Sequence, residues 1–252
     1  MFTFHGGNAM FDIHCHIIPG VDDGSDSIEE SVRMAQLAYD SGVTAVVATP
    51  HCNIPNSYQN YWSRELHFMV TQLRNELKER RIPVKVFCGQ EIFCTSRTHE
   101  LLKSGKLITI NNSRYALCEF DFYEYSSSVY EKLSKIIAEG YTPIVAHPER
   151  YAFVTEEGDA AMRLKSMGCL LQLNKGSLSG SFGRGARSNA YRMLDKRIAD
   201  FIASDAHSPY VRTTRMEEAY EAVCEQFSID YADLLFNDNP RRVVENSEVF
   251  SY

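Results

Sequence analysis

The chain has 252 residues, of which 44% are apolar and 23% charged, and its formal net charge is −7. This composition excludes an intrinsically disordered chain and supplies enough apolar material for a sizeable core. The acidic balance argues against a general binder of nucleic acid or of membrane surfaces, and no apolar stretch approaches the ~20 residues of a membrane-spanning helix.

Residues 1–10 contain no cationic segment followed by a long apolar run, so they do not resemble a targeting peptide. We expect an N-terminal extension there, with disorder as one interpretation. Residues 11–252 are predicted to form a single domain, because no linker rich in Pro, Gly or Ser divides them. The seven cysteines are dispersed and include no Cys-x-x-Cys pair, which favours reduced thiols in a cytoplasmic protein.

Short apolar runs alternate with longer segments of helical periodicity along the chain. The runs predict seven strands, at residues 10–13, 43–49, 84–89, 115–120, 142–146, 169–173 and 199–203. The intervening segments predict helices at residues 27–40, 58–80, 129–139, 158–167, 187–194 and 214–226. Asp26 is a candidate N-cap of the first helix, and Gly42 and Gly140 are stop signals. The tail, residues 230–252, is expected to form one or two short helices that pack on the outside.

Repeated strand–helix units indicate an α/β fold with a largely parallel sheet. The predicted strands are apolar throughout rather than alternating, which is typical of a sheet covered on both faces. Seven such units in about 250 residues favour a closed (β/α)7 barrel, similar to a TIM barrel, over an open sheet.

Ionisable side chains cluster where the predicted strands end, and five of the eight histidines lie at these positions. The histidines and carboxylates concerned are Asp12, His14, His16, His51, Glu91, Glu119, His147, Glu149, Asp205 and His207. In a βα barrel the carboxyl ends of the strands meet at one face, where active sites lie. Residues more than a hundred positions apart are therefore expected to share one pocket.

Imidazole and carboxylate groups from several strand ends form a mixed N/O ligand set, which suits Mn, Fe or Zn. His14-x-His16 and Asp205-x-His207 have the spacing at which alternate strand residues point to the same side. Either pair alone is a weak signal, and the whole set is a strong one. The other histidines, at positions 5, 67 and 99, are interpreted as solvated side chains.

Two arginines follow the same strand ends. Arg150 lies three residues after His147, and Arg212 lies five residues after His207. A guanidinium fork binds phosphate in a bidentate manner, so we interpret both as substrate-binding residues. For one arginine alone, a surface salt bridge is the better interpretation. Arg184 and Arg215 are less well placed candidates.

The loops after the strands contain further features. Aromatic residues in segments 56–62 and 121–125 could pack against a phosphotyrosine ring or could serve ordinary loop packing. Segment 175–187, with four glycines and three basic residues, matches no standard phosphate-binding loop. It is predicted to be a mobile loop that borders the site.

Six motifs together resemble the polymerase-and-histidinol-phosphatase (PHP) superfamily. They are residues 12–16 (DIHCH), 21–24 (VDDG), 48–51 (ATPH), 89–91 (GQE), 144–150 (IVAHPER) and 203–207 (ASDAH). The VDDG and HPER motifs resemble its bacterial tyrosine-protein phosphatase branch, of the CpsB/CapC/YwqE type, which is associated with capsule and exopolysaccharide synthesis. The motifs run in the expected order through most of the chain.

This resemblance implies a distorted seven-stranded barrel with two to three divalent metal ions, often manganese. By motif position, His14, His16, Glu91 and Asp205 would hold the first ion. Glu91, Glu119 and His147 would hold the second, and Asp23, His51 and His207 would hold the third. Asp22 is the alternative to Asp23. Arg150 and Arg212 match the phosphate-binding arginines of the branch, and with Asp205 and His207 they are the candidate catalytic residues.

The resemblance and the site residues lead to one hypothesis: a metal-dependent protein-tyrosine phosphatase. Its expected substrate is the phosphotyrosine-bearing C-terminal segment of an autophosphorylated bacterial tyrosine kinase, without nucleic-acid partners or membrane insertion. No cysteine is followed six positions later by arginine, so the loop of cysteine-dependent phosphatases is absent. The alternatives are a histidinol-phosphate phosphatase or other small phosphomonoesterase, a phosphodiesterase or nuclease, and a non-catalytic binding module stabilised by metal. The oligomeric state stays open.

Overall fold

Parallel strands and helices alternate along the chain in a computed structural model that describes residues 9–251. The strands are β1 (Met10–Cys15), β2 (Val43–Ala48), β3 (His51–Cys52), β4 (Lys85–Cys88), β5 (Glu91–Phe93), β6 (Tyr115–Glu119), β7 (Thr142–Ala146), β8 (Leu170–Asn174) and β9 (Phe201–Ala203). Met10 already belongs to β1 and is buried, so the strand begins within the predicted extension. Residues 1–8 of that extension lie outside the described part of the chain.

Eleven α-helices connect or follow the strands within residues 9–251. They are α1 (Ile28–Asp40), α2 (Arg64–Glu79), α3 (Thr98–Lys103), α4 (Ser126–Ala138), α5 (Ala152–Glu156), α6 (Ala160–Ser166), α7 (Lys175–Ser179), α8 (Gly183–Asp195), α9 (Glu217–Gln226), α10 (Ile229–Asp233) and α11 (Asn239–Val244). None of the helices in this part of the chain combines the length and the apolar character needed to cross a membrane.

The strands form one closed barrel with seven strand positions. Two predicted strands are each interrupted: β2 and β3 flank Thr49-Pro50, and β4 and β5 flank Gly89-Gln90. Backbone hydrogen bonds continue across both interruptions, from Gly89 N to Ala48 O and from Glu91 N to Pro50 O. The ring closes between the first and last strands, where Cys15 pairs with Ala206 in parallel. The predicted distorted (β/α)7 barrel is therefore confirmed.

Apolar side chains fill both faces of the barrel wall, as the continuous apolar runs predict. The larger cluster lies between the strands and the surrounding helices. A smaller cluster occupies the barrel interior and includes Ile13, Leu117 and Ile144 from the strands, and Val243 and Val244 from α11. Because these apolar side chains fill the interior, the polar groups of the barrel lie at the carboxyl ends of the strands.

The C-terminal tail was predicted to pack on the outside, and this prediction is wrong for its central part. Val243 and Val244 of α11 join the interior cluster, and the Tyr115 hydroxyl donates to Ser247 O. Tyr115 begins β6, so the tail closes the barrel at the amino ends of the strands. Apolar residues spaced along a short helix could not indicate which end of the barrel they would cover.

Several helix boundaries also differ from prediction. Ser27, rather than Asp26, caps α1, because its side chain accepts a hydrogen bond from Glu30 N. Helix α2 begins after the N-cap Ser63, so residues 58–63 form a loop. Helices α3, α5 and α7 were not predicted, because segments of five or six residues are too short to show a helical period.

Candidate metal centre

Five imidazoles meet at the carboxyl end of the barrel. The ring centroid of His16 lies 3.9 Å from that of His207, 4.5 Å from that of His51 and 5.4 Å from that of His14. His147 lies 5.8 Å from His14 on the other side. These are the five histidines predicted from the strand ends, and the closed barrel brings all of them together.

Glu91 occupies the centre of this cluster and is 1% exposed. Its Oε1 lies 2.9 Å from His147 Nε2 and 3.2 Å from His14 Nε2. Its Oε2 lies 2.9 Å from His51 Nδ1 and 3.3 Å from His16 Nε2. One carboxylate therefore faces four imidazoles, which suits a bridging ligand between neighbouring cations.

Two further carboxylates flank the cluster on opposite sides. Asp205 Oδ1 lies 3.4 Å from His14 Nε2 and 3.5 Å from His16 Nε2. Glu119 Oε2 lies 3.4 Å from His51 Nδ1, and its Oε1 lies 3.7 Å from His147 Nε2. Both residues were predicted from their strand ends, and both lie within reach of the imidazoles.

Asp22 and Asp23 are adjacent in sequence but occupy different places. Asp22 lies behind His16: its Oδ2 is 2.8 Å from His16 Nδ1, and it accepts hydrogen bonds from the backbone of His51 and Gly24. Asp23 is half exposed, and its Oδ1 lies 3.5 Å from both His51 Nε2 and His207 Nε2. This geometry favours Asp23 as the ligand and Asp22 as the group that orients His16.

The cluster is electrostatically prepared for cations. Burial alone would raise the pKa of Glu91, but His14 and His51 lower it well below its usual range. Burial lowers the pKa of His207 to about 3, and the neighbouring His16 contributes to this shift. Glu91 is therefore ionised and His207 neutral near neutral pH, as metal ligands must be. Burial alone would lower the pKa of His51, but Glu91 and Glu119 raise it to about 10. This imidazole carries a proton in the absence of a cation, and a metal ion that binds there must displace it.

The donor atoms fit a group of divalent metal ions. His51 Nδ1, Glu91 Oε2 and His147 Nδ1 are buried and have no hydrogen-bond partner of good geometry among residues 9–251. Buried polar atoms of this kind normally have a partner. Three sets of ligand atoms lie within 4.8 Å of one another: His16, Asp23, His51 and His207; His14, His16 and Asp205; and His51, Glu91 and Glu119. Mixed imidazole and carboxylate donors of this type bind Mn, Fe and Zn.

Two arginines lie directly beside the cluster. Arg150 Nη1 is 3.6 Å from Asp205 Oδ2, and Arg212 Nη2 is 2.5 Å from the same oxygen. Their side chains are 20% and 30% exposed, so both guanidinium groups border the open side of the pocket. The arrangement offers two forked donors to an oxyanion next to the candidate metal ligands.

Comparison with known proteins identifies the family. The model of the capsular polysaccharide synthesis family CpsB/CapC matches residues 10–245. The chain belongs to the CpsB/CapC family.

Relatives named as tyrosine-protein phosphatases or putative tyrosine-protein phosphatases match most of the chain. The tyrosine-protein phosphatase YwqE of Bacillus subtilis is 30% identical over 241 residues, which cover 96% of this chain and 94% of YwqE. The putative tyrosine-protein phosphatase CapC of Staphylococcus aureus is 37% identical over 202 residues, covering 79% of this chain and 77% of CapC. A solved structure from a study of YwqE and of CpsB from Streptococcus pneumoniae, described as unique metal-dependent tyrosine phosphatases, has a TM-score of 0.90. It is 30% identical and covers 96% of this chain and 97% of the solved one.

More distant structures share only the barrel. A lactonase from Listeria monocytogenes has a TM-score of 0.62 at 11% identity, and it covers 95% of this chain and of its own. This similarity supports the barrel fold of the CpsB/CapC family member, and it indicates nothing about its substrate.

Several residues that support the site were not predicted. His14 Nδ1 lies 2.8 Å from Gln172 Oε1, and Asn174 Nδ2 donates to Asp205. The Ser204 hydroxyl donates to Asp12, which was among the strand-end residues but lies behind His14. Gln172 and Asn174 are alternate residues of β8, so their shared direction was a usable signal. The contact with Gln172 orients the His14 imidazole, and the contact with Asn174 orients the Asp205 carboxylate.

Three site residues of this family member have backbone torsions that L-residues rarely adopt. The φ angles are 36° at His147, 49° at Asp205 and 51° at Arg212. Strained backbone persists where the surrounding structure over-determines it, and it concentrates at functional sites. His147 and Asp205 have these torsions where the chain leaves β7 and β9, and Arg212 has its torsion in the loop that follows β9.

Segment 175–187 borders the site, as predicted, but it is not an irregular loop. Helix α7 and the first turns of α8 occupy most of it, with a turn around Gly180 whose φ is 85°. Phe182 in this turn packs on the Arg150 guanidinium at 4.3 Å from its ring centroid. The four glycines hid the helical period, because glycine is a poor helix former in isolation.

Gly24 is the position where a small change is expected to disturb the metal centre. A Cβ built there would lie 2.2 Å from His16 O and 2.4 Å from His16 Cβ. Gly24→Ala must therefore displace His16, and we expect metal affinity and kcat/KM to fall by about 10- to 100-fold. Metal titration and steady-state kinetics would measure both.

The matched control is Gly158→Ala, because a Cβ at Gly158 meets nothing within 4 Å. This variant is expected to keep wild-type metal affinity and activity. If Gly24→Ala and Gly158→Ala had the same metal affinity and the same kcat/KM, the proposed need for a small residue next to His16 would be wrong.

Proposed function

We propose that this chain is a metal-dependent protein-tyrosine phosphatase. The observation that carries the proposal is the convergence of Arg150 and Arg212 on Asp205, beside a buried cluster of imidazoles and carboxylates. The relatives named as tyrosine-protein phosphatases, over nearly the full length of the chain, support the same activity.

The proposed ligands are nine side chains, eight at the strand ends and one, Asp23, in the loop between β1 and α1. They are His14, His16, Asp23, His51, Glu91, Glu119, His147, Asp205 and His207. They would hold two to three divalent ions, and manganese is the metal we propose first, with iron or zinc as alternatives. A bound divalent ion supplies Lewis acidity, which lowers the pKa of water and offsets the charge of a phosphate dianion.

The arginines supply the remaining recognition of the phosphoryl group. Arg150 and Arg212 present their donors on the open side of the pocket, where the equatorial oxygens of a phosphate ester would lie. Fixed guanidinium donors stabilise negative charge as it redistributes in the transition state. Asp205 contacts Arg150 and Arg212 and also His14 and His16, which lie at the end of β1. It therefore connects the arginines to the candidate metal ligands.

The leaving group requires little assistance. A tyrosine phenol has an ordinary pKa of about 10, so the phenolate departs with modest stabilisation. Tyr123 and Tyr125 follow Glu119 and are 85% and 84% exposed, which leaves them free to contact a peptide. Tyr58 stacks on His51, with ring centroids 5.8 Å apart. The positions of Tyr58, Tyr123 and Tyr125 support the interpretation that aromatic residues of segments 56–62 and 121–125 form a rim that contacts the phosphotyrosine ring.

The cysteines argue against a thiol-dependent mechanism. Burial raises the pKa of Cys52 and Cys169 to about 12, and it raises the pKa of Cys15 well above its ordinary value. A thiol with such a pKa is protonated at neutral pH and is a weak nucleophile. Six of the seven cysteines are buried as free thiols, which supports a reducing, cytoplasmic location as part of the proposal.

The proposed substrate is the phosphotyrosine-bearing C-terminal segment of a bacterial tyrosine kinase that regulates capsule or exopolysaccharide synthesis. The family description supports the link to capsule synthesis. An exposed, flexible terminal segment suits a pocket that opens at the end of a barrel, because it can enter without unfolding its own domain.

The proposal is tested with protein that is stripped by a chelator and then reloaded separately with Mn, Zn, Fe or Mg. We expect the stripped protein to be inactive. We expect at least one reloaded form to hydrolyse a phosphotyrosyl peptide with a kcat/KM at least about tenfold above that for histidinol phosphate, because of the aromatic rim. Released phosphate would be measured at equal substrate concentrations.

Other outcomes separate the alternatives. A preference for histidinol phosphate would assign the chain to the small-substrate phosphatases. Absence of hydrolysis with every metal, in protein that binds metal and melts cooperatively, would favour the non-catalytic binding module.

A further inference from the structure

Phe182 contacts both arginines of the site. Its ring centroid lies 4.3 Å from the guanidinium carbon of Arg150 and 5.5 Å from that of Arg212. Phe122 covers Arg150 from another direction, with its centroid at 4.5 Å. The Arg150 guanidinium therefore lies within cation–π distance of two aromatic rings, and one of these rings also reaches Arg212.

The Phe182 ring is held in place by the backbone of α7. A Cβ built at Gly176 would lie 2.8 Å from Cε2 of Phe182, so the ring occupies the space that a side chain would fill. The Ser181 amide donates to Gly176 O at 2.9 Å, which anchors the turn that carries the ring. The absence of a side chain at position 176 thus sets how closely Phe182 approaches α7.

The ring also lines two cavities. A cavity of about 740 Å³ is lined by Phe182, Arg212 and Lys175, and a second of about 360 Å³ is lined by Phe182, Arg150 and Phe122. Each arginine therefore has open space beside it on one side of the ring. Without the ring, the two guanidinium groups would gain room to leave the orientation in which both converge on Asp205.

We propose that Phe182 is a positioning residue for the pair of arginines that receives the phosphoryl group. The ring restricts the rotamers of Arg150 and Arg212, so that less orientational freedom is lost when an oxyanion binds. Gly176 contributes indirectly by admitting the ring. This inference rests on the proposed phosphatase function for its role in turnover, and its effect on anion binding can be measured independently.

The test compares Phe182→Leu with Phe182→Tyr in metal-loaded full-length protein. Leucine keeps apolar packing on Gly176 but removes the π face, whereas tyrosine keeps the ring. We expect Phe182→Leu to lower kcat/KM for a phosphotyrosyl peptide roughly tenfold and to weaken the Kd of inorganic phosphate, measured by calorimetry, by a similar factor. Phe182→Tyr is expected to stay within about twofold of wild type.

Three further variants distinguish positioning from a general structural role. Gly176→Ala should reproduce the loss of Phe182→Leu, because its Cβ displaces the ring. Phe68→Leu is the control, because Phe68 is an exposed phenylalanine on α2, and it should change nothing. In a background that lacks both arginine side chains, Arg150→Ala with Arg212→Ala, Phe182→Leu should have no further effect on phosphate binding.

Wild-type affinity for phosphate in Phe182→Leu would overturn the inference, and so would an equal loss in Phe182→Tyr. An unchanged effect of Phe182→Leu in the background without arginines would also overturn it. If wild-type protein binds phosphate but does not hydrolyse the peptide, the proposed function fails, while the calorimetric comparison still decides the role of Phe182.

Discussion

Asp205→Asn is expected to lower kcat/KM for a phosphotyrosyl peptide by about 10³-fold or more. The carboxylate has two roles that an amide cannot fill together. Its Oδ1 faces the imidazoles of His14 and His16, and its Oδ2 faces both arginines. Burial alone would raise its pKa, but His14 and the other cationic neighbours lower it well below its usual range. Asparagine removes this negative charge and replaces one oxygen with a donor.

Steady-state kinetics would measure the loss, and metal analysis of the purified variant would show whether an ion is lost as well. Asp26→Asn is the matched control, because Asp26 is exposed and belongs to none of the three sets of candidate ligand atoms. Substantial activity in Asp205→Asn, with full metal content, would remove Asp205 from the proposed ligand set.

Arg150→Ala is expected to lower kcat/KM by about 10²- to 10³-fold, and Arg212→Ala by a similar factor. Each variant removes a forked donor from the open side of the pocket. The metal ligands stay in place, so metal content should be unchanged. Because both arginines would act on the same phosphoryl group, the double variant is expected to lose less than the product of the two single effects.

Arg80→Ala is the control for the loss of a guanidinium group. Arg80 forms an exposed ion pair with Glu76 on the surface of the protein, so its removal should leave the kinetics unchanged. Full activity in both Arg150→Ala and Arg212→Ala would contradict their proposed contact with substrate, whatever the metal content.

The barrel architecture was predictable because the physical signals for its strands and helices are local. Apolar runs of strand length, separated by helical segments, require a parallel sheet with both faces covered. The interruption at Thr49-Pro50 did not alter this conclusion, because hydrogen bonds from Gly89 N to Ala48 O and from Glu91 N to Pro50 O continue the pairing across it. Helix boundaries were less predictable, since α3, α5 and α7 are held by tertiary contacts rather than by a long amphipathic period.

The residues that orient the candidate ligands and the arginines could mostly not be predicted from the sequence. Gln172 contacts His14 from a position 158 residues away, and Phe182 reaches two arginines from a glycine-rich turn. Neither residue type is distinctive, because glutamine and phenylalanine are common in ordinary packing. The direction of Gln172 could be inferred from its alternation with Asn174 in β8, but the groups that Gln172 and Phe182 contact follow only from the distances that the closed barrel imposes.

The sequence by itself determined the set of chemical groups and the face of the fold on which they lie. Residues that follow parallel strands must meet at one end of a barrel, wherever they occur in the chain. Only the tertiary structure favours Asp23 over Asp22 as the proposed ligand, because adjacent residues point in different directions once the backbone turns around Gly24. It also decided that the arginines converge on Asp205, since the directions of long side chains depend on packing partners that sequence spacing does not specify.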